Sequence, residues 1–185
     1  MGCRCPLAGR PGRSYHRSTV VDWDGLTGFP RTLRVSTADP KAVYRRVPEL
    51  IAIHERAVPP EGWEVVLTLD DPPILVCRGD AGALPSALRD SVTPVYALER
   101  RGSPAVPTGL VLVRFRDGIA ATTCGEAMSR AGYQIHDLLP YAPSAAWVKA
   151  ASGGIPASLR GIPALESLPD VVHVEPQMAR RPVRR

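Results

Sequence analysis

Aromatic residues are scarce in this chain of 185 residues: Phe, Trp and Tyr make up 5%, with two Phe in all. A core built from it must therefore be packed by Val, Leu, Ile and Ala. Lysine is nearly absent, with Lys41 and Lys149 alone, so the net charge of +5 is carried by arginine, spread over the surface and clustered only at the two ends. No apolar run resembling a secretory leader occurs in residues 1–18, and no stretch is long enough to span a membrane. A soluble, cytoplasmic protein is the expectation. The four cysteines, Cys3, Cys5, Cys77 and Cys124, lack the spacing of a disulfide framework. Cys77 and Cys124 lie in apolar stretches and read as buried thiols. Cys3 and Cys5 with His16 give only a weak metal signal, so no metal and no cofactor is expected.

What is abundant is proline. Twenty prolines are about double the usual ~5% and favour short elements joined by stiff loops. Residues 1–30, rich in Gly, Arg, Pro and Ser, read as a disordered basic arm whose only apolar knot is Val20-Val21-Asp22-Trp23. Leu33 and Val35 alternate as a strand. Asp39-Pro40 then has the form of an N-cap followed by proline at the first helical position. Val43, Val47, Leu50, Ile51 and His54 share one helical face, with a kink expected at Pro48. His54 reads as a core or boundary histidine. Residues 63–69 and 74–77 read as strands around the turn Asp70-Asp71-Pro72-Pro73, 83–89 as a short helix, and 92–98 as a strand.

After a loop over 99–107 the order starts again. Residues 110–115 are the strongest strand, and Ala120, Cys124, Ala127, Met128 and Ala131 repeat the helical template, closed by Gly132. Strands follow over 133–138 and 145–150, then an apolar stripe from Ile155 to Leu168 read as one bent helix or two short turns. Last comes Val171-Val172-His173-Val174-Glu175, ended by Pro176. Leu33, Val35, Val43 and Val47 match Leu110, Leu112, Ala120 and Cys124 at a constant offset of 77 residues. The fold class expected is α+β: two ferredoxin-like βαββαβ units in tandem, at 31–98 and 108–176, with two helices on one face of each sheet, a linker at 99–107 and an exposed basic tail at 177–185.

Three stretches carry a family resemblance: Val92-Thr93-Pro94-Val95-Tyr96 with the 108–118 strand and its Asp117-Gly118 turn; Ala131-Gly132-Tyr133; and Leu165-Glu166-Ser167-Leu168-Pro169-Asp170-Val171-Val172-His173-Val174-Glu175-Pro176. In order and spacing these resemble the N-terminal propeptide of subtilisin-like serine proteases, of the fervidolysin type, over about half of the chain. The resemblance implies a sheet that packs on two surface helices of the protease and a C-terminal extension that lies product-like in its substrate groove, so that the propeptide serves as folding chaperone and inhibitor. Carried onto this chain, the partner-binding residues would be Glu175, Pro176, Gln177, Met178, Ala179, Arg180 and Arg181. The chain has none of the segments that supply a subtilase triad, and His16, His54, His136 and His173 have no Ser and Asp partners in such contexts, so no enzyme is expected.

The partner implied is a subtilisin-like serine protease acted on in trans, with no membrane and no small-molecule ligand. The alternative from another class is a non-catalytic tandem ferredoxin-like module for protein interaction or regulation. RNA binding is less favoured, because base stacking needs exposed aromatics on the central strands, and Phe115 stands at the end of one candidate strand with nothing to pair with it on the other.

Overall fold

Residues 43–54, expected as a helix, form the longest strand of the first half. The computed structural model describes residues 26, 28–55, 58–79, 84–99 and 102–181, and in it β1 (Thr32–Arg34) turns back into β2 (Val43–His54). Two physical reasons favour strand over helix here. Val43, Val47, Ile51 and Ile53 are β-branched and suit a pleated surface. Pro48 would cost a helix interior about 3 kcal/mol, whereas in β2 it falls inside the register shift between Arg46 and Ile51, where no ladder donor is demanded. Leu50, Ile51, Ala52 and Ile53 are buried in succession, so this stretch is covered on both faces and lacks the alternation that marks a half-exposed strand. Asp39 does cap, but it caps the hairpin loop: the Ala42 N–H donates to Asp39 Oδ1 at 3.2 Å, and the Asp39 N–H donates to Ser36 Oγ at 3.3 Å.

The chain continues as β3 (Glu64–Leu69), β4 (Ile74–Arg78), a 3₁₀ turn (Ser86–Ser91), β5 (Val92–Ala97) and β6 (Ala105–Phe115). A second 3₁₀ turn (Ala121–Cys124) leads into α1 (Gly125–Arg130), followed by β7 (Tyr133–Leu138), β8 (Ala145–Ala150), α2 (Ile155–Arg160), α3 (Ile162–Glu166) and β9 (Val171–Arg180). From β7 to α3 the expected elements are found, with the apolar stripe split at Gly161 into two helices. The strands expected at 63–69, 74–77 and 92–98 are found as well, whereas other expectations are corrected. Among the described residues no α-helix precedes α1, so the strand–helix–strand order is not formed in the first half and the offset of 77 residues pairs strand residues Val43 and Val47 with the turn around Ala120 and Cys124. Ala105, Val106 and Pro107, expected as linker, are strand. The short helix expected over 83–89 is the 3₁₀ turn, with Ala83 outside the described residues.

The nine strands of the described residues join one antiparallel sheet in the order β3-β4-β2-β5-β6-β8-β7, with β1 added to β2 and β9 to β6. The fold is α+β and mainly β. On one face Val111, Val113, Phe115, Tyr133, Val148 and Val174 bury against Met128 of α1 and Leu165 of α3. Next to it Leu159 of α2 belongs to the cluster that holds Tyr44, Ile51, Ile53, Cys77 and Tyr96 of the first half. The opposite face of the first-half strands holds Leu50, Ala52, Ile74, Val76, Val95 and Val106, packed against Ala179. Leu26 and Phe29, expected in the disordered arm, are buried in the core. The Tyr96 hydroxyl donates to the Pro30 carbonyl at 2.7 Å and the Arg46 guanidinium donates to the Leu26 carbonyl at 2.9 Å. Residues 1–25 of that arm, with Cys3, Cys5 and His16, lie outside the described residues. Among those described, no helix is long and apolar enough to cross a membrane.

Because α2 packs on β6 and β8 of the second half and places Leu159 in the cluster of the first, the halves are expected to unfold together. Leu159→Ala should lower stability by about 2–4 kcal/mol. Trp63 and Trp147, followed in single-tryptophan variants, should report coincident denaturant transitions that shift together; separated transitions would contradict a shared core.

Candidate docking face and the terminal strand

Of the residues expected to form an exposed tail, 177–180 are strand. β9 runs antiparallel to β6 in two stretches, Val171 to Pro176 against Phe115 to Val111 and Met178 to Arg180 against Pro107 to Ala105, with the register shift accommodated by extra residues on β6. Pro176 does not end the strand. Val174 spends both backbone groups on the β1–β2 loop, accepting from the Thr37 N–H at 3.1 Å and donating to Thr37 Oγ1 at 3.0 Å. Strand alternation therefore turns position 176 away from β6 as well, where a missing N–H breaks no ladder bond. The Thr108 hydroxyl donates to Gln177 Oε1 at 2.6 Å. Met178 packs on the first-half core, Ala179 on its other face, and the Arg180 guanidinium lies 5.4 Å from the centre of the Tyr44 ring. Of the partner-binding residues expected from sequence, Glu175 through Arg180 are thus held in the sheet; Arg181 lies exposed just beyond it, and 182–185 lie outside the described residues.

The second-half strands stand in the order β9-β6-β8-β7, with α1 and α3 on one face. The registers place Glu175, Leu112, Trp147 and Asp137 in one row across the opposite face, since Leu112 pairs with both Glu175 and Trp147, and Trp147 with Asp137. Flanking rows hold His173 with Arg114, and Lys149 with Gln134. Leu112 and Trp147 are each only partly exposed, while Arg114 and Asp137 are open to solvent. His173 Nε2 lies 3.3 Å from Glu175 Oε2, and an Arg114 Nη donates to Asp117 Oδ1 at 2.9 Å. An aromatic and an aliphatic side chain thus sit at the centre of a rim carrying both signs of charge. Trp147 is passed over at the level of sequence; the signal that could single it out is one large aromatic on the polar side of the strand Ala145–Ala150, beside Lys149.

Two buried hydrogen bonds fix this sheet on its helices. The Tyr133 hydroxyl donates to the Ser158 carbonyl, and the Ala150 N–H donates to Ser158 Oγ at 2.9 Å. Burial pushes the Tyr133 phenol well above its ordinary range, so it stays a donor. Gly161 lets the ring through, since a Cβ there would sit 2.6 Å from the phenol oxygen. Phe115, weighed as a stacking residue, is buried in the core. Cys77 is buried and its thiol pKa raised by that burial, whereas Cys124 is only partly covered. Compared with protein-family models, curated proteins and solved structures, the chain matches none.

His54, at the end of β2, is a boundary residue as expected: its Nε2 lies 3.0 Å from Thr93 Oγ1 on β5. Burial lowers its pKa, with Glu55 opposing part of the shift. A lowered folded pKa means the unfolded chain takes up the proton first. The stability contributed is therefore whole above the ordinary value of about 6.5 and lost as pH falls through the folded pKa. Thermal unfolding between about pH 8 and pH 5 should show a steeper acid loss for the native chain than for His54→Gln; parallel curves would contradict the assignment. For β9, Met178→Ala should cost about 1–3 kcal/mol in denaturant unfolding, whereas a side chain on a free tail would cost nothing measurable.

Proposed function

We propose that this chain is a non-catalytic protein-binding module whose second half is a ferredoxin-like unit, docking through its open sheet face on a subtilisin-like serine protease and acting in trans as its folding chaperone and inhibitor. The observation that carries this reading is the strand order β9-β6-β8-β7, with α1 and α3 on one face and Trp147 and Leu112 presented on the other. The βαββαβ arrangement orders its strands in this way. It coincides with the 108–176 region whose motifs resemble subtilase propeptides.

An aromatic anchor beside an aliphatic one, ringed by Glu175, Asp137, Lys149 and Arg114, has the make-up of an interface centre with a polar rim. Chaperoning then follows from mass action: a module that binds only the folded protease stabilises it by about 2.7 kcal/mol at a hundredfold excess over Kd. Inhibition by a product-like tail demands more. Gln177 to Arg180 are engaged with β6, so only residues after them are available to a groove without strand release. Docking by the face is accordingly the primary contact, and steric cover of the groove the simpler route to inhibition.

The same face serves the second reading, a regulatory module with a different protein partner. Nucleic acid suits it less, because Trp147 is the single aromatic of the rows described and acidic Glu175 and Asp137 flank it. The test is titration of the full chain against a panel of subtilases deprived of their own propeptides, following refolding yield and activity. Trp147→Ala should weaken binding about thirtyfold or more, the consequence of losing roughly 2 kcal/mol at a hot spot, with the unfolding midpoint little changed. A Trp147→Ala protein that binds as well as the native chain excludes the face; a panel that never binds excludes the protease and leaves the regulatory reading.

A further inference from the structure

Two strand edges, one from each half of the chain, border the same cavity. On β1 the odd positions serve β2: the Val35 N–H donates to the Ala42 carbonyl at 2.9 Å, and the Arg31 carbonyl accepts from the Arg46 N–H at 3.3 Å. Alternation turns the N–H and C=O of Thr32 and Arg34 the other way. On β9, Val174 faces away from β6 toward Thr37, so Pro176 and Met178 face outward too. Among the described residues, β1 pairs only with β2 and β9 only with β6, and the outward groups of Thr32, Arg34, Pro176 and Met178 make no backbone–backbone hydrogen bond. Thr32 and Arg34 on one side and Val174 and Pro176 on the other line a cavity of about 400 Å³ whose floor is Leu159 and Ile162 of α2 and α3. That volume lies in the range of about 300–1,000 Å³ common to binding sites.

We infer that this cavity is a peptide-binding slot, which takes an extended, apolar, acidic segment of a partner protein by adding it as a strand between β1 and β9. The occupant is set by chemistry. Free N–H and C=O groups spaced two residues apart along a strand edge are matched by another extended backbone. The apolar floor selects an apolar side chain pointing down. At the rim Arg34 pairs with Glu166, and an Arg160 Nη donates to the Gly28 carbonyl at 2.7 Å. Two arginines against one glutamate leave an excess of positive charge for a carboxylate on the incoming segment. The Thr37–Val174 bonds close one end of the slot and hold the two edges in place. The slot lies on the helix side of the sheet, opposite Trp147, so it does not rest on the protease reading.

The experiment titrates the full chain with the acetylated, amidated hexapeptide Asp-Val-Val-Leu-Val-Asp, the same peptide N-methylated at alternate residues, and a version with lysine in place of both aspartates. Calorimetry gives affinities and amide NMR the location. Expected are saturable binding of the acidic peptide with shifts at the Thr32 and Arg34 amides, and at least tenfold weaker binding of both altered peptides. Thr32→Pro removes an outward N–H without touching the β2 ladder and should weaken the acidic peptide tenfold or more. The N-methylated peptide keeps the test decisive if that variant does not fold. Absence of saturable binding, equal affinity for the N-methylated peptide, or preference for the lysine peptide overturns the proposal.

Discussion

The ladder between β6 and β9 is the constraint on which the rest of the structure depends. Its first stretch completes the second-half sheet under α1 and α3; its second stretch brings Met178 and Ala179 to the two faces of the first-half sheet. Neither half has a closed apolar core without it. A domain of this size with two Phe relies on many small aliphatic contacts of about 25 cal/mol per Å², and one strand that serves two clusters secures more of them than a free tail would. The same ladder fixes where Val174 meets Thr37, and so where the β1–β2 hairpin leans on the second half.

Polar groups are used sparingly and at joints. Tyr133, Ser158 and Gly161 tie the helices to the second-half sheet. His54 and Thr93 tie β2 to β5. Arg46, Arg160 and Tyr96 hold the carbonyls of Leu26, Gly28, Phe29 and Pro30. Each satisfies backbone or hydroxyl groups that would be costly to bury alone. The row of Glu175, Leu112, Trp147 and Asp137 stands apart from these joints: it is ordered by the sheet, and among the described residues it is bonded to no helix.

The second half was legible from local pattern because its signals agree at every level. Gly132 sits at positive φ after α1, Val111, Val113 and Phe115 alternate, and the Ile155 to Leu168 stripe breaks at Gly161. In the first half the strands at Glu64–Leu69, Ile74–Arg78 and Val92–Ala97 were legible too, but residues 43–54 were not, because Leu50 to Ile53 of β2 are buried on both faces. Consecutive Leu50, Ile51, Ala52 and Ile53 carry no period of two, and the spacing of Val43, Val47 and Ile51 imitates a helix. Asp39-Pro40 reinforced the error, since capping and hairpin turns use the same side-chain chemistry. Pro176 misled in a similar way: proline stops a central strand, but a strand with one open edge tolerates it where the missing N–H would face outward. The edge itself is a tertiary property, invisible in a window of six residues, and so was the row that brings Trp147 beside Leu112 and Glu175.

The most direct test of the shared strand is hydrogen exchange at single amides of β9. Strand alternation turns the N–H groups of His173, Glu175 and Ala179 toward β6 and that of Met178 away from it. The account predicts strong protection of Ala179, close to that of Glu175, with Met178 exchanging far faster than either. Equally rapid exchange at Ala179 and Met178, with protection ending at Glu175, would mean that the residues after Pro176 form a free tail, and would contradict it.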